Sequence, residues 1–90
     1  MKYKIGDWIV FINKERSKWW KEKYETSLYG KIGKIIGIVK KHKLYLIEFK
    51  EFIDSHDSNG KGKDGHCQWC VDIEIISLDQ LKLKKLLEEK

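Results

Sequence analysis

The stretch Gly30-Lys31-Ile32-Gly33-Lys34-Ile35-Ile36-Gly37-Ile38-Val39-Lys40-Lys41-His42-Lys43-Leu44-Tyr45-Leu46-Ile47-Glu48-Phe49 decides the fold class. It holds two runs rich in Ile, Val, Leu and aromatic residues, the types that fit a pleated, half-buried surface. Glycine-punctuated Gly30–Gly33 leads into the first run, and Lys41-His42-Lys43 is a tight connection to the second. The whole reads as a β-hairpin. Gly37, inside the first run, marks a bend or a bulge.

Outward from this hairpin the β pattern continues on both sides. Upstream, the turn dipeptide Gly6-Asp7 precedes the bulky run Trp8-Ile9-Val10-Phe11-Ile12. Downstream, His66-Cys67-Gln68-Trp69-Cys70-Val71 and Glu74-Ile75-Ile76-Ser77 are two more short strands. Asn13–Tyr29 is expected to form a long, decorated first loop of helical flavour, with Asn13 as N-cap. Residues 50–65, polar and glycine-rich, read as a second loop. Ser77-Leu78-Asp79-Gln80 is a capping box, Ser at N-cap and Gln at N3. It opens a helix over about residues 78–90, with Leu81, Leu83, Leu86 and Leu87 as its apolar positions. Five short strands, no proline and glycines at the bends predict one mostly-β domain over residues 1–90. Its sheet is expected to curl into a small barrel over about residues 3–78.

Composition bounds what such a domain can do. A 90-residue chain buries only about 60–65% of the surface its unfolded form exposes, so its core is small. Four Trp, four Tyr and three Phe help to fill it. No apolar run reaches the roughly 18–20 residues needed to cross a bilayer, and Met1–Asp7 shows no secretory signal. Two cysteines make no disulfide framework. The expected setting is reduced and cytoplasmic, without a membrane partner. Net charge is +5, unevenly spread: residues 1–50 carry thirteen Lys/Arg against five Asp/Glu, residues 51–90 six against nine. A basic half opposing an acidic half makes a directional field that favours an anionic ligand on one side. Arg16 is the one arginine among nineteen basic residues. The other eighteen are point charges on flexible stems, which also suit a merely solvated surface.

Lys4-Ile5-Gly6-Asp7-Trp8-Ile9, Gly30–Ile36, Leu46–Phe49, Gly65–Val71 and Ile73–Ile76 together carry a resemblance. The pattern is similar to small SH3-like barrel proteins of bacteriophages and prophages of low-GC Gram-positive bacteria, a plan that also resembles the KOW module and the Mind-bomb-type repeat. The resemblance spans roughly Lys4–Phe49 and Gly65–Ser77, and leaves out the Trp19-Trp20 insert and the last helix. At position 68, where such relatives often carry an aromatic residue, this chain has Gln68. The resemblance implies a five-stranded SH3-like barrel and a phage accessory or counter-defence role in the host cytoplasm. A fold of this type hosts many unrelated functions.

Catalysis finds no complete set of residues: there is no nucleophile elbow, no phosphate loop before a helix and no HExxH. His66 beside Asp64 is a lone pair without a nucleophile, so the expectation is a non-enzymatic protein without a cofactor. Cys67 and Cys70, with His66 and His56, are the residues that would hold zinc if any did. However, residues three apart on a strand face opposite sides, and zinc ranks last.

Binding is the better-supported role. Trp19 and Trp20 are adjacent and cannot both turn inward from one insert. Lys18, Lys21 and Lys23 flank them, and Lys31, Lys34 and Tyr29 follow. Aromatic rings interleaved with ammonium groups suit stacking on bases while the charges meet phosphates. His66 and Trp69 add a second candidate stretch. The expected ligand is nucleic acid or a nucleotide signal. The alternatives are a protein-interaction module that inhibits a host protein through the same aromatics, and a homo-oligomer sealed by them.

Overall fold

The computed structural model describes residues 2–24, 26–56 and 58–88. The side chains of Leu86 and Leu87, expected on the apolar face of the last helix, lie outside the described residues. In chain order the elements are β1 (Trp8–Phe11), α1 (Lys14–Tyr24), β2 (Ile32–Val39), β3 (Leu44–Phe49), β4 (Cys67–Cys70), β5 (Ile75–Ser77) and α2 (Leu78–Glu88). Short 3-10 turns at Lys40–His42 and Asp72–Glu74 join β2 to β3 and β4 to β5. The five strands form one antiparallel sheet in the order β4-β3-β2-β1-β5.

Alternation builds the core. Ile9 and Phe11 of β1, Ile35 of β2, Tyr45, Ile47 and Phe49 of β3, Cys70 of β4 and Ile75 of β5 all point to one face. Tyr3, Trp20, Leu28 and Ile53 cover them from the connecting segments. Tyr3 and Phe11 meet Tyr45 and Phe49 edge-on, at ring separations of 5.6 and 6.3 Å, a geometry that complements the ring quadrupoles. The register between β2 and β3 slips between Ile35 and Gly37. This is the bulge that Gly37 foreshadowed, and it bends the longest strand so that it serves both β1 and β3.

The first connection is more regular than a loop. Asn13 caps α1, its Oδ1 accepting the Arg16 N–H at 3.1 Å, and the helix turns Ser17 and Trp20 inward. Ser17 Oγ accepts the Leu28 and Tyr29 N–H groups at 3.0 and 2.7 Å, fixing the chain as it returns to β2. At the other end, Ser77 Oγ accepts the Gln80 N–H at 3.0 Å, as the capping box predicts. The helix α2 then packs on β1 and β5.

The sheet does not close into a barrel, which corrects the sequence expectation: among the described residues β4 and β5 are its two unpaired edges. The reason lies in the outward backbone groups of β4, which already have partners. Cys67 exchanges N–H and C=O with His56, the Trp69 N–H goes to Gln68 Oε1 at 2.9 Å, and the Trp69 carbonyl accepts Arg16 Nη2 at 3.1 Å. A side-chain clasp spans the seam instead. Arg16 Nη1 lies 2.6 Å from Glu74 Oε1. The buried Glu74 carboxylate also accepts the Val71 N–H at 3.0 Å and Asn13 Nδ2 at 3.3 Å.

Candidate functional site

Period-two alternation sends Trp8 to the face of β1 opposite the core, beside Lys34 on β2. The Trp8 ring is 41% exposed. Lys34 Nζ lies 5.5 Å and Lys50 Nζ 4.9 Å from its centroid. Further along the same face stands Tyr29, 48% exposed. Its backbone is held by Ser17, and the next residue, Gly30 at φ +81°, gives its N–H to the Phe11 carbonyl at 2.8 Å. A left-handed residue is needed at that tight return, and glycine adopts it without strain. Lys14 Nζ lies 5.3 Å from the Tyr29 centroid.

A shallow cleft of about 200 Å³ opens beside the Tyr29 ring, with Tyr29, Lys31, Ile32 and Lys50 in its wall and Glu51 at its rim. Lys31 is ion-paired with Glu51. Lys50 belongs both to this cleft and to the Trp8 stack, so the basic groups form one continuous strip. On the far side of Tyr29, an apolar groove of about 360 Å³ runs between the sheet and α2, where Lys82 and Lys85 line it. Lys14, Lys18 and Lys21 follow one another at i, i+4 and i+7 on α1 and share one flank of that helix.

The structure divides the residues singled out from sequence. Tyr29, Lys31 and Lys34 come together, with Lys18 and Lys21 on the helix flank that begins at Lys14. Trp19 and Lys23 do not join them. At about 100° per residue they project from the other side of α1, where Lys23 Nζ sits 5.0 Å from the Trp19 centroid. Trp20 is a core residue, which corrects its assignment to the ligand surface. It is buried, lies tilted against Tyr24 with ring centroids 4.4 Å apart, and its indole N–H is shared by Thr26 Oγ1 and the Ile53 carbonyl. His66 is likewise structural: it is buried, with Nδ1 2.9 Å from the Phe49 carbonyl and Phe52 edge-on to its ring. Trp69 is half-buried on β4, three strands from Trp8, beside a separate open cleft with His56, Ser58 and Asn59.

The cysteines diverge as the strand period requires. Cys70 faces the core, while Cys67 points to the other side, its thiol toward the Lys63 carbonyl at 3.7 Å and under Gly62. Burial pushes the Cys70 thiol up to about 12; Arg16 opposes the rise and Glu74 adds to it. Such a thiol stays protonated at neutral pH and is neither nucleophile nor ready ligand. Among the described residues no three His, Cys, Asp or Glu side chains group as metal ligands, and His56 Nδ1 accepts the Ser58 N–H at 3.1 Å. No helix among them is long and apolar enough to cross a membrane.

Sequence reasoning missed Trp8, Lys50 and Lys14 as members of the strip. The signal for Trp8 was available: with Ile9 and Phe11 inward, Trp8 must face outward. In comparisons with known proteins, no family model, curated protein or solved structure matches the chain.

Proposed function

We propose that this protein is a non-enzymatic binding module that holds a nucleic acid against the basic outer face of β1 and β2. One observation carries the reading. Lys14, Lys34 and Lys50 lie against two outward aromatic rings and Lys31 lines the cleft beside Tyr29, where Glu51 is the only carboxylate among the described residues. A strip of ammonium groups with low-dielectric rings between them attracts a polyanion and raises its local concentration. The strand order β4-β3-β2-β1-β5, with an insert after β1 and a 3-10 turn before β5, supports reading the fold as SH3-like, in an open form. On the resemblance to phage proteins, such a module serves as an accessory or counter-defence factor in the host cytoplasm.

Salt tests the proposal. Neutralising phosphates releases counterions, so affinity falls as a power of salt concentration. Binding of mixed-sequence DNA or RNA to the protein, followed by fluorescence anisotropy from about 50 to 200 mM salt, should weaken by tenfold or more. Absence of binding at the low end refutes the proposal. A protein-inhibitor role is favoured by a separate observation, the 52% exposed Trp19 on the opposite flank of α1. An interface built on that residue would be nearly indifferent to salt.

A further inference from the structure

Resting on the nucleic-acid reading above, we infer that the ligand is single-stranded, that its bases stack on Trp8 and Tyr29, and that its recognition is largely independent of sequence.

Three observations lead there. First, the two rings lack aromatic neighbours. Among the described residues the other aromatics outside β4 have a ring against them: Tyr3 on Tyr45, Phe11 on Phe49, Trp19, Trp20 and Tyr24 together, Phe52 on His66. Trp8 and Tyr29 are touched instead by lysine ammonium groups. An exposed lysine over a ring is a weak, exchangeable contact, so a base can replace it while the ammonium moves to the adjoining phosphate. A duplex keeps its base faces inside the stack and would meet only the lysines; unpaired bases offer the faces that such rings take.

Second, the spacing calls for a strand rather than one nucleotide. Gly30 and Lys31 hydrogen-bond Phe11, which places Tyr29 near the level of Ile12, four residues beyond Trp8. At about 3.3 Å per residue the two positions are offset by roughly 13 Å along the strand direction. A mononucleotide has one base and would use one ring. A short oligonucleotide can use both, with Lys50, which reaches the Trp8 ring and the Tyr29 cleft, between them.

Third, the guanidinium that could read a base edge is engaged elsewhere. Bidentate recognition of guanine is the usual work of arginine, and Arg16 is committed to Glu74 and the Trp69 carbonyl. The strip is built from lysines, which meet phosphates as point charges. Stacking plus point charges recognises a backbone and any base.

The test compares dye-labelled oligothymidylate of about ten nucleotides, a blunt duplex of the same length and thymidine monophosphate, each with the full chain at about 50 mM salt. The single strand should bind at least about tenfold tighter than the duplex and the mononucleotide, with an oligoadenylate within a few-fold of it. Trp8→Leu and Tyr29→Leu should each weaken single-strand binding about fivefold or more. The comparison on the unaltered protein stands even if Trp8→Leu fails to fold. Equal affinity for duplex, full affinity for the mononucleotide, or no loss on either ring substitution overturns the single-strand inference and leaves the nucleic-acid reading standing. No binding of any of the three overturns both.

Discussion

Removing the Arg16 guanidinium should weaken the fold by a large fraction of its total stability. The side chain donates to Glu74 Oε1 at 2.6 Å and to the Trp69 carbonyl at 3.1 Å. In Arg16→Ala the Glu74 carboxylate stays buried, with the Val71 N–H and Asn13 Nδ2 as its remaining donors. Breaking a fully buried ion pair costs about 3–5 kcal/mol. Here Arg16 is partly exposed and Glu74 keeps two donors, so we expect about 2–4 kcal/mol. A domain of this size has about 5–10 kcal/mol in total. The midpoint of thermal unfolding should therefore fall by about 10–25 °C. Arg16→Lys keeps the charge but cannot bridge both acceptors, and should lie about halfway. The assay is guanidinium unfolding followed by tryptophan fluorescence, with Glu74→Gln and the Arg16→Ala, Glu74→Gln double variant completing a cycle. A coupling of about 1.5 kcal/mol or more is expected for a close, desolvated pair. A loss for Arg16→Ala within about 0.5 kcal/mol of zero, the range of an ordinary surface substitution, would refute the idea that this clasp fastens the open seam.

The two tryptophans of α1 should part company: Trp20→Ala should cost about 3–5 kcal/mol and Trp19→Ala about 1 kcal/mol or less, read by the same unfolding curves. Replacing Lys34 and Lys50 together by Gln should flatten the salt dependence of single-strand binding by a log–log slope of about 1.4, with circular dichroism unchanged. The Cys70 thiol is raised from 9.0 to about 12 by burial, so the unfolded chain loses that proton first. The stability this thiol contributes is complete below pH 9 and is lost as pH climbs towards 12; Cys70→Ala should remove that part of the alkaline decline in a pH series of unfolding curves. A Cβ on Gly62 would meet Cys67 Sγ, the Glu48 carboxylate and Ile36 together, so Gly62→Ala should cost about 1–3 kcal/mol in the same assay.

Local signals were readable in the sequence because their causes are local. The hairpin, the bulge at Gly37 and the caps at Asn13 and Ser77 each depend on a few neighbouring residues, and each is where the residues place it. What was not readable depends on partners far along the chain. The burial of Trp20 follows from the Ile53 carbonyl, 33 residues away. The open seam depends on the partners of β4 from far along the chain, among them Arg16, which reaches Trp69 and Glu74 at separations of 53 and 58. Composition marked Arg16 as singular without saying what it holds. The binding strip was half legible. Tyr29, Lys31 and Lys34 lie on or beside one strand and travel together. Separating Lys18 and Lys21 from Trp19 and Lys23 needed the phase of α1, and adding Lys50 needed the β2–β3 register.

The way β4 ends the sheet also bears on how the chain behaves in a crowd. An exposed strand edge with unpaired N–H and C=O groups is a template for another molecule's strand, and so for aggregation. Here the outward groups of Cys67 and Trp69 are taken by His56, Gln68 and Arg16, and the opposite edge, β5, is three residues long. A sheet that never closes on itself thus leaves little edge to recruit a neighbour. Variants that shorten the 50–66 loop, and so withdraw His56 from Cys67, should turn cloudy on concentration even where they still fold.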